Sequence, residues 1–186
     1  MFELVWPAEA YLPGYVDALR RGWSPNTMRP EAAQEELARI GADAAAFVRS
    51  KVDREAAGGP ITLPDGSQVN RLPGVALWMW DGAFCGAINL RWQPGTAALP
   101  PHVLGHVGYS VVAWKRRRGY ATRALALLLP LARAEGLREY VELTTDPGNI
   151  ASQRVIEANG GVLVERFNRP ASMGGTETLR YRVALG

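Results

Sequence analysis

Apolar residues along the chain fall into two periodicities. Val107, Tyr109 and Val111 alternate with smaller or polar neighbours, and Val75–Trp80 and Ala83–Trp92 are apolar runs on either side of an Asp-Gly pair, so all three stretches predict strands. Asp81-Gly82 between the last two predicts a two-residue hairpin turn, because that pair accepts the positive φ angles such turns need. Further strands are expected at residues 1–6 (a short edge), Tyr140–Thr145, Gly161–Phe167 and Thr178–Ala184, the last two closing as an antiparallel pair. Helical spacing marks Ala8–Arg20, interrupted at Pro13-Gly14, and a second helix that opens at Pro30-Glu31 and runs through Leu37, Ile40, Ala44, Phe47 and Val48 to Lys51. A third, Ala121–Glu135, carries Ala121, Leu125, Leu128 and Ala132 on one face and is expected to kink at Pro130. A fourth follows Asp146-Pro147-Gly148 and is capped by Asn149. Two loops remain. Residues 56–74 hold the turn sequences Gly58-Gly59-Pro60, Leu63-Pro64-Asp65-Gly66-Ser67 and Leu72-Pro73-Gly74, and a loop so long reads as a lid; residues 93–104 form a second overhang. The sum is a mixed α/β fold.

Composition narrows the class. At 186 residues and 47% hydrophobic content, the chain suits one domain, 1–186, with a substantial core. Cys85 is the sole cysteine, which excludes an internal disulfide and a cysteine-rich zinc site and suggests a reducing compartment. The start, Met1-Phe2-Glu3-Leu4-Val5, is unlike a signal peptide, and no apolar run reaches the roughly 18 residues of a membrane span. The expectation is a cytoplasmic protein with no membrane partner. The net charge of +3 is modest, but four cations stand together at Lys115–Arg118. A block confined to one turn suits a compact polyanion better than nucleic acid, which calls for a broad basic stripe.

That block lies in the most informative stretch, His106–Thr122. Strand, cationic glycine turn and helix follow one another, an order that presents backbone N–H groups and a helix N-terminus to a phosphate while Gly119 admits close approach. Arg116-Arg117-Arg118-Gly119-Tyr120-Ala121 resembles the acyl-CoA signature Arg/Gln-x-x-Gly-x-Gly/Ala of the GNAT superfamily of N-acetyltransferases. Asn149-Ile150-Ala151-Ser152, followed by Val155 and Asn159-Gly160-Gly161, resembles the family's second motif. The resemblance covers residues 75–168. It implies a sheet that is mainly antiparallel, with a parallel, splayed central strand pair and helices on both faces. Residues 75–168 would be the acyl-CoA-binding core, 1–74 a variable acceptor-side region and 169–186 the closing strand.

The resemblance also assigns a site. Acetyl-CoA would be held by Arg116, Arg117, Arg118, Gly119, Tyr120, Ala121 and Thr122 at its pyrophosphate, by Asn149 and Ser152 along its arm, and by backbone N–H groups at Val111 and Val112 at the thioester. His106 stands ten residues before Arg116, where the branch acting on protein N-termini often has a glutamate. A histidine titrates near neutrality and suits a general base; the other reading is a structural histidine beneath the 93–104 loop. His102 and Glu142 are further base candidates. Many members carry a tyrosine acid seven residues after the asparagine. This chain has Ile156 there, which leaves Ser152 as donor to the coenzyme sulfur, or as a first-turn serine bonded to backbone. Tyr109 is a strand aromatic within reach of the cleft. Cys85 reads as core rather than nucleophile, and Trp78, Trp80 and Trp92 as core or as walls of an acceptor pocket.

The expected activity is transfer of acetyl from acetyl-CoA to a primary amine of a small molecule or protein N-terminus, by direct attack in a ternary complex without a metal. A non-catalytic acyl-CoA-binding or sensing module is the alternative. The resemblance is also compatible with a homodimer through the last strands.

Overall fold

The computed structural model describes residues 1–63 and 66–186. The turn residues Pro64 and Asp65 lie outside them. In chain order the elements are β1 Glu3–Val5, α1 Leu12–Arg20, α2 Ala32–Ala42, α3 Ala44–Arg49, β2 Val52–Asp53, β3 Ile61–Thr62, β4 Gln68–Val69, β5 Gly74–Trp80, β6 Phe84–Arg91, β7 Val107–Val111, α4 Tyr120–Ala134, β8 Tyr140–Thr145, α5 Ile150–Glu157, β9 Val162–Asn168 and β10 Glu177–Ala184. Single 3-10 turns precede α1, follow β7 and precede β10.

Two antiparallel sheets carry the architecture. The first has the order β1-β5-β6-β7, with β2 also paired to β5; the second is β8-β10-β9, and β3 and β4 form a small separate hairpin. The helical crossover through α4 sets β7 and β8 parallel, yet they share no ladder. The expected parallel central pair is therefore present as a split.

Strand alternation sorts the core into two layers. Val75, Leu77 and Met79 of β5 and Cys85, Ile88 and Leu90 of β6 pack with Leu125 and Leu128 of α4 and with Leu143, Tyr181 and Val183 of the second sheet. Trp78, Phe84 and Val112 face the other way, onto Leu12, Tyr15, Leu19, Ala33 and Phe47 of the first three helices. Tyr15 stacks on Trp78 at a centroid distance of 4.6 Å and meets Trp23 and Phe84 edge-on. Helices thus cover both faces of the first sheet.

Four local expectations are revised. Pro13 does not interrupt a helix: α1 starts at Leu12, so the proline occupies its first turn, where no donor is needed. The second helix is two, because Asp43 turns extended (φ −158°) and caps α3 by accepting from the Ala46 N–H at 2.8 Å. The 75–92 hairpin closes through three residues, Asp81–Ala83, since Trp80 pairs with Phe84 across a bulge. Within the loop 56–74, Ile61 pairs with Val69 and Thr62 with Gln68. Trp78 and Trp92 are buried and Trp80 packs against the aromatic cluster, so these three belong to the core.

Gly86 shows how tightly β6 meets β7. Its φ is +150°, and an added Cβ would lie 2.9 Å from Val111 Cα and closer still to the Ser110 carbonyl oxygen. Both obstacles are backbone. Gly86→Ala is therefore expected to cost more than about 2 kcal/mol, read as a lowered urea midpoint with an unchanged slope.

Candidate active site

The split between the sheets is closed at one end by His106, the residue before β7. Its N–H donates to the Glu142 carbonyl at 2.8 Å, and the Glu142 N–H donates back to His106 Nδ1 at 2.9 Å. Gly105 packs here as well: a Cβ on it would come within 3.1 Å of the Glu142 carbonyl oxygen. Beyond this clasp the strands part. On the other side β7 is paired with β6, the Arg91 N–H donating to the His106 carbonyl at 2.9 Å and the Val112 N–H to the Cys85 carbonyl at 3.0 Å. Antiparallel pairing alternates, so Gly108, Ser110 and Val112 address β6 while Tyr109 and Val111 turn their N–H groups toward the split. Val112 is thereby corrected as a thioester donor, its N–H being already bonded. Val111 remains.

After the 3-10 turn Ala113–Lys115 the chain enters the cationic loop. Arg117 (φ +60°) and Gly119 (φ +73°) both adopt the left-handed conformation, and open space surrounds Gly119 where a side chain would project. The first helical bond of α4 runs from the Arg123 N–H to the Gly119 carbonyl at 3.0 Å. Tyr120, Ala121 and Thr122 therefore hold N–H groups with no partner inside the helix, at the positive end of its dipole.

The four cations have separate places. Lys115 pairs with Asp81 and sits 3.5 Å from Cys85 Sγ. Tyr120 hydroxyl also donates to Asp81. Desolvation opposes ionisation of this carboxyl, but the bonds from Lys115 and Tyr120 outweigh it and hold its pKa well below the usual carboxylate range. Arg116 folds back, its Nε donating to the Val111 carbonyl at 3.3 Å. Arg117 and Arg118 are exposed. Arg118 also lies against the Tyr120 hydroxyl.

On the far side of the split, Asn149 caps α5 by accepting from the Ser152 N–H at 3.1 Å. Ser152 Oγ lies 2.7 Å from the Tyr109 hydroxyl, a contact that joins β7 to α5 across the core-side face. Burial pushes the Tyr109 phenol up to about 12, against a smaller opposite effect of the Ser152 bond. Ile156, at the position of the family's tyrosine acid, is buried in the core.

The base candidates are placed differently from expectation. His106 is fully buried (0% exposed) and its Nδ1 is occupied. Desolvation and the nearby Arg91 charge lower its pKa to about 4, outweighing the opposite pull of the Ala97 backbone. It clasps the two sheets, and its imidazole is shielded from solvent. Glu142 is also buried; Arg182 Nε and Nη2 donate to its Oε1 at 3.0 and 2.9 Å, and Arg180 stands 3.8 Å from Oε2. His102 sits half-buried on the 93–104 loop. Cys85 is buried, its thiol pushed up to about 11 first by desolvation and then by Asp81.

A concavity of about 290 Å³ opens on the helix α1 side of β7. Trp23, Ser110, Trp114, Arg21 and Arg116 are among its lining residues. Trp23 Nε1 donates to Ser110 Oγ at 2.9 Å, and the Arg21 guanidinium lies 3.5 Å over the Trp114 ring. Sequence reading passed over these residues, because no motif marks them. The one available signal was that Ser110 takes the opposite face of β7 from Tyr109.

The model of the acetyltransferase (GNAT) domain matches residues 15–162. A sequence search of curated proteins gave no match. Among solved structures, the chain is similar to the microcin C7 self-immunity acetyltransferase MccE in complex with acetyl-CoA and AMP (TM-score 0.61, 12% identity, 98% of this chain and 92% of that one). It is similar to an acetyltransferase from Salmonella typhimurium that modifies the N-terminal serine of ribosomal protein L7/L12 (0.59, 13%, 97% and 93%). It is also similar to a GNAT-family acetyltransferase from Bordetella pertussis (0.56, 14%, 96% and 93%). At such identities the likeness is one of fold.

The clasp has a pH signature. Above about pH 6.5 His106 is neutral in folded and unfolded chains alike, and its contribution is fully present. As pH falls toward about 4, the unfolded chain takes up a proton that the folded chain refuses, so stability drops by up to about 3 kcal/mol. His106→Gln keeps an acceptor for the Glu142 N–H but cannot titrate. Its urea-unfolding free energy is expected to fall less steeply between pH 7 and 4.5 than that of the wild type; parallel profiles would remove the assignment.

Proposed function

The chain belongs to the GNAT acetyltransferase family and is an acyltransferase, and from that premise we propose that it moves an acetyl group from acetyl-CoA to a primary amine by direct attack in a ternary complex. The observation that carries this reading is the split between β7 and β8, open where Val111 presents a free N–H and bordered by the left-handed turn at Gly119. The N–H groups of Tyr120, Ala121 and Thr122, with the charges of Arg117 and Arg118, hold the pyrophosphate. The pantetheine arm enters the split past Asn149, and the Val111 N–H bonds the thioester oxygen. Fixing the thioester in this way removes part of the entropic barrier, several kcal/mol in well-oriented cases.

The amine nitrogen attacks the thioester carbon, the carbon–sulfur bond breaks, and the nitrogen gives up its proton to solvent. Ser152 Oγ donates a hydrogen bond to the sulfur as negative charge builds there. The Tyr109 hydroxyl, 2.7 Å from Ser152 Oγ, holds that side chain in place. This pair replaces the tyrosine that Ile156 does not supply. The 290 Å³ concavity beside β7 is the acceptor site, and its size favours a small amine or the first residue of a protein N-terminus. The neighbour that modifies an N-terminal serine and the one bound to acetyl-CoA support this class of chemistry.

Two variants test the reading. Gly119→Glu forces a side chain into a left-handed position, at a cost of about 1 kcal/mol, and sets a negative charge where phosphate binds; acetyl-CoA affinity by calorimetry is expected to fall at least about tenfold. Ser152→Ala is expected to lower kcat by about 10- to 100-fold, with Tyr109→Phe in the same direction and coenzyme affinity nearly retained in both. Acetyl-CoA binding with no thiol release over a broad amine panel would favour the sensing module instead.

A further inference from the structure

Given the acceptor site read above, on which this inference rests, we propose that the acceptor amine carries an anionic group, carboxylate or phosphate, seated between the guanidinium groups of Arg21 and Arg116. The concavity is walled by Arg21, Trp23, Ser24, Ser110, Trp114 and Arg116, among others, and no aspartate or glutamate lines it. A dicationic acceptor would find no counter-charge there. An anion finds two cations, both held in place by interactions that leave donors open.

Arg21 is laid flat by Trp114, 3.5 Å from its ring centroid, a stack that fixes a guanidinium without consuming its N–H groups. Its Nη1 meets Asp17 at 3.3 Å, but both side chains are at least half exposed, so the pair is weak. Arg116 is drawn out of the phosphate turn by its bond to the Val111 carbonyl. It is thus a residue of the coenzyme motif that also lines the acceptor concavity. The Val111 carbonyl and N–H belong to the same residue, so an anion held by Arg116 is placed beside the thioester position.

The loop over the concavity is already ordered for this. Ser24 Oγ lies 2.9 and 3.0 Å from the carbonyls of Asn26 and Arg29, either of which can take its proton, and Asn26 Oδ1 accepts from the Met28 N–H at 2.9 Å. Arg169, bonded to Thr178 Oγ1 at 2.7 Å, reaches Met28 Sδ at 3.2 Å and ties the loop to the second sheet. Little ordering remains to be done on binding.

Trp23 and Trp114 line the concavity, so tryptophan fluorescence reports its filling without turnover. The experiment titrates coenzyme-A-saturated protein with two matched pairs: phenylalanine against phenylalaninamide, and phosphoethanolamine against ethanolamine. At least one anionic member is expected to bind ten times more tightly than its partner, and which pair responds tells carboxylate from phosphate. Arg21→Glu is expected to abolish that preference, while its acetyl-CoA affinity stays that of the wild type. Equal binding within both pairs, tighter binding of the uncharged-end partners, or a preference that survives Arg21→Glu overturns the proposal. Failure of the wild type to bind acetyl-CoA in a separate titration would instead overturn the enzyme reading beneath it.

Discussion

Among the described residues, β7 and β8 are joined by hydrogen bonds at one residue pair, His106 and Glu142, and the opening beyond it depends on that economy. His106 exchanges hydrogen bonds with the backbone of Glu142 through both its own N–H and its imidazole. The pairing stops there. Had β7 and β8 continued their ladder, the N–H groups of Tyr109 and Val111 would be consumed by backbone and no arm could enter. Left unpaired with β8, these N–H groups are donors that an acceptor entering the split can satisfy. On the proposed reading, the extended, carbonyl-rich arm of the coenzyme is that acceptor.

The same division of labour governs charge. Four adjacent cations would repel one another if all pointed at one anion site. Lys115 is withdrawn to Asp81, which also fixes Tyr120 at the first position of α4. Arg116 is withdrawn to the Val111 carbonyl. The hairpin tip at Asp81 thereby acts as a brace for the cationic turn, in which Arg117 and Gly119 adopt left-handed angles. Glu142, meanwhile, spends its charge on Arg180 and Arg182 and stitches β8 to β10.

Much of the fold could be read from residue pattern alone, because strands such as Tyr140–Thr145 and caps such as Asn149 are local decisions. The turn at Gly119 was legible for the same reason: spacing and glycine chemistry sit in six consecutive residues. What escaped reading was long-range. Nothing around His106 announces that its imidazole closes a sheet junction thirty-odd residues away in sequence, and titration near neutrality made a base the natural expectation. Asp43 split a helix whose apolar spacing ran through without a break, since a single extended residue leaves that spacing nearly intact. Trp23, Ser110 and Trp114 come from separate segments, so only the folded chain brings them to one wall. Tyr109 and Ser152 are likewise joined only across the split.

Residue-resolved amide exchange on β7, with and without saturating acetyl-CoA, tests the central claim most directly. Gly108, Ser110 and Val112, paired with β6, are expected to exchange slowly in both states. Tyr109 and Val111 are expected to exchange fast in the free protein, and Val111 to become protected when acetyl-CoA is bound. Uniform protection along β7 without coenzyme, or a Val111 amide indifferent to it, would contradict the account.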